Sequence, residues 1–284
     1  MRATGPAVGY SGADVESHDR TSSTRDAKQR EGPATHTHVL EPAAVANCRL
    51  WEIDALRGLA IGAMVGFHAA WDWAYFNDAS LGPGSAWVSG PIAASFITLL
   101  GVSISLDRDR SRAVGRSLAL RALQRTALIA GASALVTLAT WLVLPDRFVF
   151  FGILHLLAAS TLLVSATARF GAVANALLGA AVLAVGWSGL FDGAAPATWL
   201  TVLGWSSPQA TVDWYPLAPW AGFAFLGFAL GQAFYPRGRR SYSLPHWERQ
   251  TAPLRLMGRH SLLIYLTHQL VLFPVVWLVA AVLP

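Results

Sequence analysis

The stretch Glu52–Phe76, EIDALRGLAIGAMVGFHAAWDWAYF, sets Asp54, Arg57, His68 and Asp72 on a single apolar run. An ionisable group inside a membrane span is costly, so each of these four is a candidate functional residue. At 100° per residue, Asp54, Arg57, Ile61, Met64, His68, Asp72 and Tyr75 share one broad helical face. His68 and Asp72 are one turn apart, so the carboxylate can accept a hydrogen bond from one ring nitrogen and leave the other as a base. They are the candidate catalytic pair, against the plainer alternative of polar residues satisfied within the core. Asp54 and Arg57, roughly 16 Å back along the axis, can pair as a structural ion pair that seats the helix end. Equally, Arg57 with Arg255 or Arg259 can bind phosphate groups, which a guanidinium grips bidentately.

The C-terminal run GRHSLLIYLTHQ offers a second polar stripe. Arg259 and His260 stand where a helix begins, a natural anion site. Ser261, Tyr265 and His268 fall on one face with Gln269 at its edge, placed to line a substrate path or to join helices by hydrogen bonds. His155, in FFGILHL, has no acid nearby in sequence and reads as a packing or substrate-contact residue. No metal site is expected.

What must position these residues is a bilayer-spanning scaffold. Of the 284 residues, 54% are hydrophobic and 13% charged, about half the charge of a usual soluble domain. Mean hydropathy is +0.44. The net charge of +5 does not point to nucleic acid, because the arginines alternate with apolar runs instead of forming a basic domain. The lone cysteine, Cys48, allows no internal disulfide. Residues 1–48 are rich in Ser, Thr, Arg, Asp and Gly and predict a disordered cytoplasmic tail without a signal peptide. Residues 49–284 form the transmembrane domain.

Apolar runs of about 20 residues, the length that crosses a bilayer, recur near Leu56–Phe76, Trp87–Leu106, Ala122–Leu144, Phe148–Thr167, Ala172–Leu190, Tyr215–Phe234 and Leu262–Ala281. The prediction is an all-α, polytopic bundle of about seven spans in the inner (plasma) membrane. Gly193–Val212, broken by Pro196 and Pro208, reads as an outer loop with a short interfacial or re-entrant piece. Arg108–Arg125 and Arg237–Arg259 then share one side, which the positive-inside rule makes cytoplasmic along with the N-terminus. Trp51 and Trp247 lie on that side and the other ten tryptophans on the opposite one. An aromatic belt explains part of this, but a belt populates both interfaces. The asymmetry leaves room for an outer cavity that stacks on a sugar ring. Gly58, Gly62 and Gly66 form a small-residue stripe for close helix packing.

In this order and spacing, EIDALRGLAIGAMVGFH, FFGILHL, DWYPLAPWAGFAFLGFALG and GRHSLLIYLTHQ resemble the bacterial branch of the heparan-alpha-glucosaminide N-acetyltransferase catalytic-domain family, from about Arg49 to the C-terminus. The resemblance implies a helical bundle in which acetyl-CoA binds from the cytoplasmic side and its acetyl group passes to an acceptor on the far side. On that basis Asp54, Arg57, Arg259 and His260 would hold acetyl-CoA. His155, Asp213, Trp214, Ser261, Tyr265, His268 and Gln269 would line the path of a small-molecule or glycan acceptor such as an envelope sugar. The lysosomal member carries its catalytic histidine just beyond the equivalent first span. Here that place reads Asn77-Asp78-Ala79-Ser80, and His68 is the nearest candidate. The chain has fewer spans than the lysosomal enzyme, so any pore is built from fewer helices or completed by a second subunit. The rival class is a proton-coupled transporter using the same buried His and Asp residues.

Overall fold

The computed structural model describes residues 50–79, 81–191, 193, 199–205 and 211–282. The expected tail lies outside the described residues. The elements are helices: α1 (Trp51–Phe76), α2 (Ala86–Val114), α3 (Leu118–Val143), α4 (Ile153–Thr167), α5 (Gly171–Trp187), α6 (Leu200–Leu203), α7 (Leu217–Phe234), α8 (Ala252–Arg259) and α9 (Ser261–Val282). Among the described residues, six segments are long and apolar enough to cross a membrane. The count is one below the expected seven because the fourth and fifth runs fall in one segment, Ile153–Trp187. That segment reverses through a 3-10 turn to Gly171, whose φ of 84° lies in the left-handed region that glycine tolerates. Asn175 locks the turn, donating to the carbonyls of Thr167 and Gly171 at 3.1 and 2.7 Å.

Contacts set the direction of each helix. Gly152 abuts Asp213 and Gly186 abuts Pro219, so α4 begins and α5 ends beside the start of α7. Gly227 meets Thr98 and Gly231 meets Ser105, which makes α7 parallel to α2. Arg125 of α3 bonds Asp107 of α2 at 3.4 Å. Arg259 reaches Asp54 and Gln269 reaches Asp72, so α9 runs parallel to α1. The arginines of the α2–α3 and α7–α8 connections therefore gather at one end of the bundle. Trp73, Trp87, Trp141, Trp187 and Trp220 gather at the other.

One crossing depends on two missing side chains. A methyl group added at Gly58 would stand 1.8 Å from the Leu254 carbonyl oxygen, and one at Gly258 1.8 Å from that of Asp54. The backbones of α1 and α8 thus touch, and α8, which the sequence did not announce, is fixed against the first span. Of the expected glycine stripe, Gly58 takes this contact and Gly62 meets the Met257 side chain at 3.3 Å. Gly66 faces open space. The central core forms where Ile97, Leu100 and Ile104 of α2 meet Leu156 and Val164 of α4 and Ala224, Phe225 and Phe228 of α7. Its apolar burial is what closes these three helices on each other. At the arginine-rich end, Arg240 grips Glu52 through both carboxylate oxygens and ties the α7–α8 connection to the start of α1.

Residues Phe148–Gly152, expected as the opening of a span, are instead outside the helix. The Tyr215 N–H donates to the Phe151 carbonyl at 3.0 Å, the Val212 N–H donates to that of Arg147 at 3.0 Å, and Thr211 Oγ1 donates to Phe148 O at 2.8 Å. This pairing satisfies backbone groups that would otherwise be buried without partners. It also brings Asp213 to the start of α4. Of Gly193–Val212, the described parts include the four-residue α6 and no span.

Candidate active site

At the arginine-rich end, Asp54 is 5% exposed and receives two guanidinium groups. Arg57 Nη1 donates to its Oδ1 at 3.2 Å and Arg259 Nε to its Oδ2 at 3.5 Å. A second nitrogen of Arg57 donates to Ser103 Oγ at 2.9 Å, and Ser103 donates in turn to the Leu99 carbonyl. Sequence reasoning missed Ser103, whose only signal is a small polar residue within an apolar run. The carboxylate holds both cations in place. His260 is exposed at the α8–α9 junction, where its N–H donates to the carbonyls of Leu256 and Met257. Ser261 opens α9 there, roughly 10 Å of axial rise from His268.

Further along, α1 and α9 bring two imidazoles together. The rings of His68 and His268 meet edge to face with centroids 4.9 Å apart. His68 Nδ1 lies 2.9 Å from the Met64 carbonyl and His268 Nδ1 lies 2.7 Å from that of Tyr265. A carbonyl oxygen only accepts, so each Nδ1 carries a proton, and in that tautomer Nε2 is the ring atom with the lone pair. His268 Nε2 is buried with no partner among the described residues. Asp72 is fully buried and does not orient His68 as the spacing suggested. The last helix, α9, competes for it: Gln269 Nε2 donates to Asp72 Oδ1 at 2.9 Å. The Met64 carbonyl, one turn earlier, fixes the tautomer instead.

His155 is spent on structure. Its Nδ1 accepts from the Gly152 N–H at 3.3 Å, and its Nε2 sits 3.4 Å from Thr137 Oγ1. The ring therefore caps α4 and ties it to α3. Asp213 performs the neighbouring cap, Oδ2 accepting from the Ile153 N–H at 3.0 Å. Gly152 has to be glycine here, because a Cβ would stand 2.1 Å from that oxygen.

Burial pushes the Asp213 carboxyl up from about 3.8 to about 6, against the opposing pull of the Ile153 N–H and of His68. Asp213 also lies within electrostatic range of Tyr215 and Tyr265, the former unforeseen from sequence. The folded carboxyl is harder to ionise than the unfolded one, so its contribution to stability falls as pH rises from about 4 to about 6. Thermal unfolding across that window will show Asp213→Asn flattening this dependence while its amide oxygen keeps the Ile153 bond. Trp214, beside it, has a buried Nε1 with no partner among the described residues.

The site thus holds two ring nitrogens with lone pairs, a carboxyl pushed up to about 6 and a cluster of hydrogen-bonding positions unfilled among the described residues between α1 and α9. Residues 49–270 match the family described as heparan-alpha-glucosaminide N-acetyltransferase, catalytic. The chain belongs to that family. No curated protein and no solved structure matches it. Membership makes this a membrane acetyltransferase family chain, and the family's donor is acetyl-CoA.

Proposed function

We propose that the protein takes an acetyl group from acetyl-CoA at its arginine-rich end, facing the cytoplasm, and transfers it to a hydroxyl or amine reached from the tryptophan-rich end. The acceptor is an envelope sugar and the location is the inner membrane. The observation that carries this reading is the pair of Nε2 atoms on α1 and α9 without a partner among the described residues, with the Asp54-held Arg57 of α1 and Arg259 of α8 further down the bundle.

Arg57 and Arg259 bind the CoA phosphates. His68 Nε2 removes the acceptor proton as the acceptor oxygen or nitrogen attacks the thioester carbonyl, and the nearby Asp213 carboxylate stabilises the imidazolium. The proton then passes to the departing sulfur, so the products are the acetylated acceptor and CoA thiol. In the tautomer set by the Tyr265 carbonyl, His268 offers a lone pair and not a proton. The donor for the developing oxyanion is therefore the Tyr265 hydroxyl.

Purified full-length protein in proteoliposomes, supplied with radiolabelled acetyl-CoA on the arginine side, tests the reading. Label on an envelope glycan supports it, whereas solute flux without any acyl-CoA supports the transporter. Arg259→Gln removes one charged contact to the donor and is expected to raise the KM for acetyl-CoA about tenfold with kcat little changed. An unchanged KM removes Arg259 from the donor site.

A further inference from the structure

Asp72 and Gln269 hold each other through one hydrogen bond and leave one acceptor apiece unused. Gln269 Nε2 donates to Asp72 Oδ1 at 2.9 Å, which fixes the planes of both groups. Asp72 Oδ2 and Gln269 Oε1 are buried and have no partner among the described residues. Asp72 is 0% exposed, yet its visible partner is a neutral amide. A buried carboxylate oxygen and a buried amide oxygen left unmade cost more than most hydrogen bonds return. Their neighbour His268, within electrostatic range of Asp72, adds a third unfilled acceptor in its Nε2. All three atoms accept, so whatever completes them must bring donors.

We propose that Asp72 and Gln269 form the subsite that holds the acceptor, taking two adjacent hydrogen-bond donors through Asp72 Oδ2 and Gln269 Oε1 and setting the reacting group against the imidazoles of His268 and His68. The proposal rests on the acetyl-transfer reading for the identity of the ligand, but its geometry is independent of the donor. The ligand chemistry is a pair of neighbouring donors, either two ring hydroxyls or an ammonium beside a hydroxyl. A monohydric alcohol fills only one of the two positions.

The test uses the purified full-length chain with three probes: methyl α-glucoside, methyl α-glucosaminide and cyclohexanol. Thermal stabilisation reads probe binding, direct titration reads acetyl-CoA binding, and kinetics separate KM from kcat. The two sugars are expected to stabilise the wild type and cyclohexanol to leave it unmoved. Asp72→Asn keeps an oxygen for Gln269 and turns the free acceptor into a donor. Gln269→Leu removes the second acceptor. Each is expected to weaken sugar binding about 10- to 100-fold with acetyl-CoA affinity within about twofold of wild type, because that site lies on the arginine side. Loss for the glucosaminide alone under Asp72→Asn assigns an ammonium to Oδ2, and equal loss for both sugars assigns a hydroxyl.

Sugar binding indifferent to both variants, a parallel loss of acetyl-CoA binding, or a wild type stabilised by no sugar overturns the subsite. Sugar binding without any acetyl transfer sinks the acetyltransferase reading and leaves the subsite standing. Transfer with variant-insensitive sugar binding does the reverse.

Discussion

His68→Ala is expected to lower acetyl transfer by about 10²- to 10⁴-fold, the usual span for loss of a general base, with acetyl-CoA binding unchanged. The expectation follows from three features of the ring. Its Nδ1 proton is committed to the Met64 carbonyl, its Nε2 has no partner among the described residues, and Asp213 lies within electrostatic range to stabilise the protonated form. The second imidazole complicates the result in a measurable way. With the rings 4.9 Å apart, His268 can receive the same proton at a poorer angle, so His268→Ala should cost less than His68→Ala. The double variant should fall short of the product of the two losses, because residues that act as a unit are not additive. Equal rates for wild type and His68→Ala, measured with labelled acetyl-CoA at saturating acceptor, would sink the assignment. A larger loss in His268→Ala would exchange the two roles. The acid limb of the rate profile should lie near pH 6, where the Asp213 carboxyl ionises and can stabilise the imidazolium.

Gly258→Ala should produce the largest loss of stability in the described bundle. The added methyl would stand 1.8 Å from the Asp54 carbonyl oxygen and 2.9 Å from the Gly58 nitrogen. Both are backbone atoms within helices, so relief requires α8 to move off α1. Overpacking typically costs about 1–3 kcal/mol, and a backbone clash of this depth sits at or above the top of that range. A specific functional loss accompanies it: Arg259 is the next residue, so displacing α8 withdraws its guanidinium from Asp54, and the KM for acetyl-CoA rises together with the fall in Tm. Gly66→Ala is the matched control on the same glycine stripe. Nothing lies within 4 Å of its added methyl, and the helix gains about 0.5–1 kcal/mol from the replacement. Thermal unfolding in one detergent compares the two, and a Gly258→Ala protein as stable as Gly66→Ala would refute the crossing.

Helical class, the membrane setting, the family and the polar faces of the first and last spans were readable from the chain because each is a local property. Apolar run length sets a span, a 100° repeat sets a face, and the motifs EIDALRG and GRHS lie within single helices. The glycine stripe was also visible, although only Gly58 and Gly62 meet a partner. What the local pattern could not supply was competition between partners distant in sequence. Asp72 stands one turn from His68, yet its hydrogen bond goes to Gln269, brought alongside when α9 packs parallel to α1. His155 loses both ring nitrogens to a cap and a threonine. Asp213 comes within electrostatic range of His68 because the Phe148–Gly152 segment pairs with the chain before α7 instead of continuing a helix.

Sequence alone therefore determined which residues are polar inside the bilayer-spanning helices, since hydropathy and helical period are written residue by residue. Tertiary structure decided which of them bond to each other and which atoms are left open. A side chain has few hydrogen-bonding positions, and the partner that fills each is chosen by the packing of helices separated by up to about two hundred residues of chain, as for Asp72 and Gln269.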